Sequence, residues 1–137
     1  MHYVFVYGTL KKGYGNNRLL QNAKFIDGGV TLTPYDLRDL GAYPVVVDRK
    51  RARIAGEVYD VTREELQRLD GLEGYPNMYG RKKVLVKLEQ TGIKVQCFMY
   101  VGSEEWIKRM GGPDRIKGVV EDSFGRCTWN RSYKERF

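Results

Sequence analysis

The sequence predicts one α+β domain that is dominated by about five or six mostly antiparallel strands. Its 137 residues are one domain's length, and 42% of them are hydrophobic, which is enough for a packed core. Alternating and fully apolar segments recur along the chain, whereas helix signals are few. Such strands are expected to curl toward a barrel, because closure removes exposed edges. We expect residues 1–137 to form a single domain, with a less regular tail from about residue 111.

The first half of the chain contains four predicted strands, at residues 3–7, 24–34, 42–47 and 53–61. The first is apolar on both faces, as in a central strand, and the second is interrupted at Gly28 and Gly29, which suggests a bulge. The glycine-rich segment after the first strand is expected to be a loop with a short helical turn near residues 17–21. The charged run at residues 48–52 is expected to be a hairpin connection.

One α-helix is well signalled after the fourth strand. Thr62 and Glu65 have the spacing of a capping box, Leu66 and Leu69 supply an apolar face, and Gly71 is expected to end the helix. Two further strands follow, at residues 79–89 and 93–101, with clean alternation in the first and a turn between them. A second short helix is expected at residues 104–110.

The charge and the hydropathy of the chain limit its classes of partner. The formal net charge is +7, which makes a nucleic-acid partner worth weighing. No apolar run approaches the ~20 residues of a membrane span. The first residues lack the basic region and long apolar run of a signal peptide. We therefore expect a cytoplasmic protein with no membrane partner.

Side chains that hold metals or form nucleophilic dyads are scarce. Cys97 and Cys127 form no CxxC motif, and the single histidine is His2. A zinc site, a Ser/His/Asp triad and a Cys/His dyad are therefore poorly supported. Cys97 shares strand parity with Val95 and Met99, which favours a role as a small core residue.

The first candidate site is the strand end at Tyr7, Gly8, Thr9 and Leu10. A glycine at a strand end allows successive backbone N–H groups to point into one concavity that suits a carboxylate or an oxyanion. An ordinary turn is the alternative interpretation. The lysines that follow do not form a P-loop, because the GxxxxGK[ST] spacing is absent.

The second candidate site is the acidic segment at residues 69–76. Glu73 is expected just past the helix end, between Leu72 and Tyr75, where a raised pKa would suit a general base. A solvated loop glutamate is the alternative. Asp70 is the competing carboxylate; its place in the last helical turn is unfavourable and indicates a partner, either Arg81 or a backbone N–H.

Taken together, four segments in the same order resemble the γ-glutamylcyclotransferase-like family. They are VFVYGTLKKG at residues 4–13 with two asparagines after it, GEVYDV at 56–61, LDGLEGYPNMYGR at 69–81, and VQCFMY at 95–100. The resemblance covers about three-quarters of the chain. The first and fourth segments are most similar to the γ-glutamylamine cyclotransferase branch.

The resemblance implies a small mixed, mostly antiparallel β-barrel of about five to seven strands flanked by short helices, with no metal and no cofactor. It implies a small-molecule γ-glutamyl substrate, whose α-amine attacks its own γ-amide carbonyl and releases 5-oxoproline and a free amine. The family's catalytic glutamate corresponds to Glu73. The family's substrate-binding residues correspond to Tyr7, Gly8, Thr9, Leu10 and Tyr79, although Tyr79 could equally be the first apolar residue of a strand.

The chemistry of this reaction fits the residues that are available. The nucleophile belongs to the substrate, so no Ser or Cys is needed, and ring closure is already helped by proximity. One carboxylate with a pKa near neutrality can take a proton from the α-ammonium and return one to the leaving amine. Backbone N–H groups near Gly8 would stabilise the substrate carboxylate and the developing oxyanion.

Two other classes of function stay open. A nucleic-acid-binding module is suggested by the basic run at residues 48–53 and by ten tyrosines, but no RNA- or DNA-binding motif accompanies them, so only nonspecific electrostatic binding is expected. A barrel could also bind a metabolite or protein without turnover, since fold does not fix function. The leaving group (isopeptide lysine, amino acid or other amine) and the oligomeric state are not determined by the sequence.

Overall fold

The structure, a computed structural model, describes residues 2–40, 43–75, 79–103, 105, 109 and 119–130. These residues contain eight strands: β1 (His2–Val6), β2 (Lys24–Thr31), β3 (Tyr35–Asp39), β4 (Pro44–Val61), β5 (Gly80–Leu88), β6 (Lys94–Val101), β7 (Val119–Glu121) and β8 (Arg126–Trp129). A 3-10 helix, Gly15–Leu20, precedes β2, and helix α1, Arg63–Glu73, joins β4 to β5.

Five of the strands close into a barrel. β1, β6, β5, β2 and β4 are hydrogen-bonded in that order, and β4 pairs in turn with β1 to complete the ring. β1 and β6 are parallel, whereas the other neighbours in the ring are antiparallel. The predicted mixed, mostly antiparallel barrel is confirmed. Closure gives each of these strands two partners, which satisfies the backbone groups of the sheet.

The alternation of side chains along β1 divides the core into two clusters. Phe5 belongs to one cluster with Val86 and Cys97, as the strand parity of Cys97 predicted. Val6, on the opposite face of β1, belongs to the other cluster together with Leu69 of α1. Helix α1 therefore covers one face of the strands, and each fully buried leucine contributes about 1.5–3 kcal/mol of hydrophobic stabilisation.

Helix α1 begins at the predicted capping box. The Thr62 hydroxyl accepts from the Glu65 N–H at 3.1 Å, and the Thr62 N–H donates to the Glu65 carboxylate at 2.8 Å. Within the described ranges of the chain, no helix has the length and apolar character that a membrane crossing would require.

The predicted end of α1 is wrong by one turn. The helix passes through Gly71 and continues to Glu73, and Gly74 is the residue that ends it. Gly74 has φ 66°, a left-handed conformation that glycine adopts without steric cost, and its N–H bonds to the carbonyl oxygens of Asp70 and Gly71. Glu73 is consequently the last helical residue rather than a loop residue.

The middle of the chain also differs from the prediction. The segments at residues 42–47 and 53–61, predicted as two strands, belong to one long strand from Pro44, and residues 48–52 continue it instead of forming a hairpin connection. The first half of β4 pairs with β3, and its second half pairs with β1 and β2. The register shift in β2 lies between Phe25 and Asp27, not at the two glycines where a bulge was predicted.

Strand β3 was missed because three charged residues interrupt its apolar pattern. Asp36, Arg38 and Asp39 are nevertheless buried. Arg38 donates two hydrogen bonds to Asp36, at 3.1 and 2.9 Å, and the Trp129 indole N–H donates to Asp39 at 3.1 Å. Burial of these charges is tolerated because each carboxylate has a partner.

The C-terminal segment contributes more regular structure than its weak periodicity suggests. β7 and β8 form an antiparallel hairpin, and β8 adds to β4 in parallel at Arg53 and Ile54. Trp129 is fully buried at the end of β8. Of the predicted helix at residues 104–110, the structure describes only Glu105 and Arg109, which are both helical and form an ion pair at 2.7 Å.

Candidate active site

A cavity of about 430 Å³ opens where β1 ends, next to the C-terminus of α1. This volume lies within the usual range for small-molecule sites, about 300–1,000 Å³. All six residues that the sequence predicted for the site line it: Tyr7, Gly8, Thr9, Leu10, Glu73 and Tyr79. The fold thus brings together two segments of the chain that are more than sixty residues apart.

Glu73 is the carboxylate that lines the cavity among the described residues. It lies there because it is the last residue of α1, whose C-terminus borders the cavity. Burial raises its pKa from 4.5 to about 7. Its side chain accepts no hydrogen bond from any described residue that would favour the charged form. The helix C-terminus carries a partial negative charge, which also disfavours an ionised carboxylate there. Glu73 can therefore exchange a proton near neutral pH.

Two tyrosines beside Glu73 are held by the backbone. The Tyr7 hydroxyl donates to the Tyr100 carbonyl oxygen at 2.6 Å and accepts from the Val46 N–H at 3.2 Å. The Tyr79 hydroxyl donates to the Pro44 carbonyl oxygen at 2.9 Å. Burial, together with the nearby Glu73 charge, raises the pKa of both phenols, so they stay neutral. Their rings form the cavity wall, and their hydroxyl groups fix that wall to β4 and β6.

The loop after β1 is fixed by two asparagines from the 3-10 helix. Asn16 donates through its backbone to the Thr9 carbonyl oxygen at 3.0 Å and through its side chain to the Thr9 hydroxyl at 2.8 Å. Asn17 donates to the Leu10 carbonyl oxygen at 2.8 Å and to the Tyr59 hydroxyl at 3.2 Å. Asn17 therefore supports the loop and does not itself line the cavity.

The backbone N–H groups of this loop belong to residues that line the cavity. In residues 2–40, 43–75 and the other described ranges, no acceptor is hydrogen-bonded to the N–H groups of Gly8, Thr9 or Leu10. Several unpaired N–H groups on one cavity wall suit a carboxylate or a developing oxyanion. Gly8 has an ordinary negative φ; glycine is needed there because a Cβ would lie only 2.7 Å from Pro44 Cγ.

Asp70, the competing carboxylate, is paired and does not line the cavity. Its carboxylate contacts the Arg81 guanidinium in an ion pair and accepts from the Tyr100 hydroxyl at 2.6 Å. Arg81 is thus the partner that the unfavourable helical position of Asp70 predicted. Because Asp70 is engaged, Glu73 is the carboxylate that is available for chemistry.

Sequence reasoning missed several residues of the cavity wall. They are Phe5, Val6, Gly15, Asn16, Arg18, Tyr43, Pro44, Leu72 and Tyr100. The 3-10 helix could have been included from its position directly after the glycine loop. Tyr100 reaches the cavity through the pairing of β6 with β1, and Pro44 lies at the start of β4, where it pairs with Asp39 of β3. The described part of the chain holds no cluster of three or more His, Cys, Asp or Glu side chains that could bind a metal ion.

A small barrel whose cavity holds a half-buried glutamate at a helix end, together with a glycine loop at the end of β1, defines a class of protein. The family model described as γ-glutamyl cyclotransferase, AIG2-like, matches residues 4–119. The chain therefore belongs to the γ-glutamyl cyclotransferase, AIG2-like family.

Individual relatives agree with this assignment. A γ-glutamylaminecyclotransferase of Bos taurus is 36% identical over 116 residues, which cover 76% of this chain and 69% of the relative. A Methanocaldococcus jannaschii protein, provisionally named a γ-glutamylcyclotransferase, is 42% identical over 102 residues and covers 73% and 83% of the two chains. The crystal structure of an AIG2-like protein of Mus musculus has a TM-score of 0.71 and 32% identity, over 78% of this chain and 82% of that chain.

Proposed function

We propose that this protein is a γ-glutamyl cyclotransferase that releases 5-oxoproline and a free amine or amino acid from a small γ-glutamyl substrate. The observation that carries the proposal is Glu73, a cavity carboxylate whose pKa is raised to about 7 by burial. Relatives at 30–42% identity are named for this activity, which supports the assignment.

Glu73 acts as the general base and then as the general acid. It removes a proton from the substrate α-ammonium, the freed α-amine attacks the γ-carbonyl carbon, and the C–N bond to the leaving group breaks. The protonated Glu73 gives this proton to the leaving nitrogen as the C–N bond breaks. The Glu73 carboxylate then takes the second proton that the new ring nitrogen must lose, and this proton passes to the released amine, which leaves as an ammonium. A group with a pKa near the working pH performs both transfers well, and such catalysis contributes about 10²–10⁴-fold in rate. The atoms balance without water, metal or cofactor.

The loop Tyr7–Leu10 binds the glutamyl half of the substrate. Its N–H groups donate to the substrate α-carboxylate and to the oxyanion that develops on the γ-carbonyl oxygen. The rings of Tyr7 and Tyr79 exclude water beside Glu73, which keeps the pKa of that carboxyl raised.

The test is 5-oxoproline release by the purified protein from γ-glutamyl-ε-lysine, γ-glutamyl-alanine and glutathione. We expect product from at least one substrate, and a loss of at least about 100-fold in kcat for Glu73→Gln, because an amide cannot accept the proton. Absence of product from every substrate, with the protein folded, would leave a barrel that binds a ligand without turnover. Retention of activity within a few-fold in the variant would remove Glu73 from the mechanism.

A further inference from the structure

The C-terminal hairpin of β7 and β8 lies almost entirely past residues 4–119, which are the residues that the family model matches. The proposed mechanism uses Glu73 and the loop Tyr7–Leu10, and it gives this hairpin no role. Trp129, the last residue of β8, is nevertheless fully buried against the segment that follows the loop. The hairpin is therefore placed to act on the candidate site from outside the cavity.

Lys11, the first residue after the loop, connects the loop to β8. Its Nζ donates to the Trp129 carbonyl oxygen at 2.7 Å, and only 7% of the residue is exposed. The backbone N–H of Lys11 donates to the Gly8 carbonyl oxygen at 3.0 Å, which closes a four-residue turn over Thr9 and Leu10. The Lys11 side chain therefore anchors the end of the turn whose other residues line the cavity.

A second contact docks the same segment on β8. The Tyr14 N–H donates to the Lys11 carbonyl oxygen at 3.1 Å, and the Tyr14 ring packs on the Trp129 indole with the ring centroids 5.3 Å apart. The chain that leaves the turn is thus held on Trp129 both by a charged hydrogen bond and by an aromatic contact.

Trp129 is also bonded to a second part of the cavity wall. Its indole N–H donates to Asp39 of β3 at 3.1 Å, and Asp39 is the strand partner of Pro44. Pro44 lines the cavity, and its carbonyl oxygen accepts from the Tyr79 hydroxyl at 2.9 Å. A Cβ at Gly8 would lie 2.7 Å from Pro44, so the two wall segments that Trp129 connects already lie close together.

From these contacts we propose that Lys11 and Trp129 are positioning residues, which hold the loop Tyr7–Leu10 and Pro44 in the arrangement that binds the glutamyl half of the substrate. Neither is among the described residues that line the cavity, so both act through others. A turn that is fixed before the substrate arrives spares the binding step the cost of ordering it. This inference rests on the proposed cyclotransferase function.

The first variant is Lys11→Met, assayed at pH 7, below the Lys11 pKa of about 8. Methionine keeps an unbranched apolar chain and removes the Nζ donor. We expect KM for the best substrate of the panel to rise about tenfold, as for the loss of a charged hydrogen bond, and kcat to fall less than about threefold. The split is expected because bound substrate re-orders the turn, and because no hydrogen bond in the described ranges joins Lys11 to α1, which carries Glu73.

The matched control is Cys127→Ala. Cys127 is buried in the core two residues before Trp129, and the change loosens the packing of β8 while the Trp129 carbonyl oxygen and the Lys11 side chain stay in place. We expect KM within about twofold of the wild type. An equal rise in KM in Cys127→Ala and Lys11→Met would assign the effect to a general loosening of β8 and overturn the role of Lys11.

Trp129→Phe tests the other member of the pair with Lys11 intact. Phenylalanine keeps an aromatic ring and removes the indole N–H that Asp39 accepts, so we expect KM to rise about threefold. In the double variant with Lys11→Met, the rise in KM should be smaller than the product of the two single rises, because both residues hold one arrangement. A rise equal to that product would show independent effects and overturn the pairing.

The outcomes separate this inference from the proposed function. If Lys11→Met forms 5-oxoproline with KM within about twofold of the wild type, the positioning role is overturned and the cyclotransferase function stands. A loss confined to kcat would assign Lys11 to the chemical step and also overturn the positioning role. No 5-oxoproline from any substrate of the panel, with the wild-type protein folded, overturns the cyclotransferase function and the inference with it.

Discussion

The ammonium group of Lys11 donates to the carbonyl oxygen of Trp129 at 2.7 Å, across 118 residues of sequence. Lys11 directly follows the loop Tyr7–Leu10, and its N–H bonds to the Gly8 carbonyl oxygen at 3.0 Å. Trp129 is in turn bound to Asp39 of β3 through its indole N–H. The C-terminal strand and the glycine loop of the candidate site are therefore held together by one buried lysine.

The buried Lys11 should make stability depend on alkaline pH. Burial lowers its pKa from 10.5 to about 8, so between these values the unfolded chain binds more protons than the folded chain. The free energy of unfolding of the wild type, relative to Lys11→Met, should therefore rise with pH in this window, by up to about 3 kcal/mol. Denaturant titrations of the wild type and of Lys11→Met at pH 7.5 and 10 measure the difference in unfolding free energy between the two proteins. An equal difference at both pH values would contradict the prediction.

Catalysis should depend on the ionisation of Glu73. The base must be deprotonated in the free enzyme, and its pKa is about 7. We expect kcat/KM for 5-oxoproline release to rise about tenfold per pH unit below pH 7 and to level off above it. A flat profile between pH 5 and 8 would mean that another group is the base.

Glu73 should also reduce stability as the pH rises. Its folded pKa of about 7 lies above the ordinary value of 4.5, so the folded state binds more protons than the unfolded state between these values. Stability therefore falls as the pH rises from about 4.5 to 7. Glu73→Gln should be more stable than the wild type at pH 8 by about 1–2 kcal/mol, after allowance for partial exposure, with little or no advantage at pH 4.5. Thermal unfolding of both proteins at the two pH values tests this.

The close approach of Gly8 to Pro44 should make position 8 intolerant of any side chain. In Gly8→Ala, Cβ would lie 2.7 and 2.8 Å from Pro44 Cγ and Cδ, and overpacking of this kind costs about 1–3 kcal/mol. Because both residues line the cavity, KM should rise as well.

Gly15→Ala is the matched control for position 8. Gly15 lines the same cavity, but a Cβ there has no atom within 4 Å. We expect its stability to lie within about 0.5 kcal/mol of the wild type and its KM to be little changed. If both alanine variants behave alike, the contact with Pro44 is not what requires glycine at position 8.

The features that the sequence predicted are those with local causes. The capping box of Thr62 and Glu65 is complete within one turn, and the alternation of residues 84–88 needs only the pleat of one strand. The end of α1 was misplaced because Gly71 and Gly74 are both possible caps, and helical hydrogen bonds carry the chain past the first. β3 was missed because charged residues interrupt its apolar pattern. Some of their partners, Trp129, Arg49 and Arg51, lie on other segments, which the local pattern cannot show.

The sequence by itself determined the barrel class, the helix start, and the two segments that hold Glu73 and the loop Tyr7–Leu10, since these depend on periodicity, capping and ordered motifs. Only the tertiary structure decided how far burial raises the pKa of Glu73, and which of the two predicted partners of Asp70 engages it, namely Arg81. The burial of a side chain and its distance from other charges depend on contacts between segments that are far apart in the sequence. A pKa shift or a counter-ion therefore emerges only after strands from distant parts of the chain have paired.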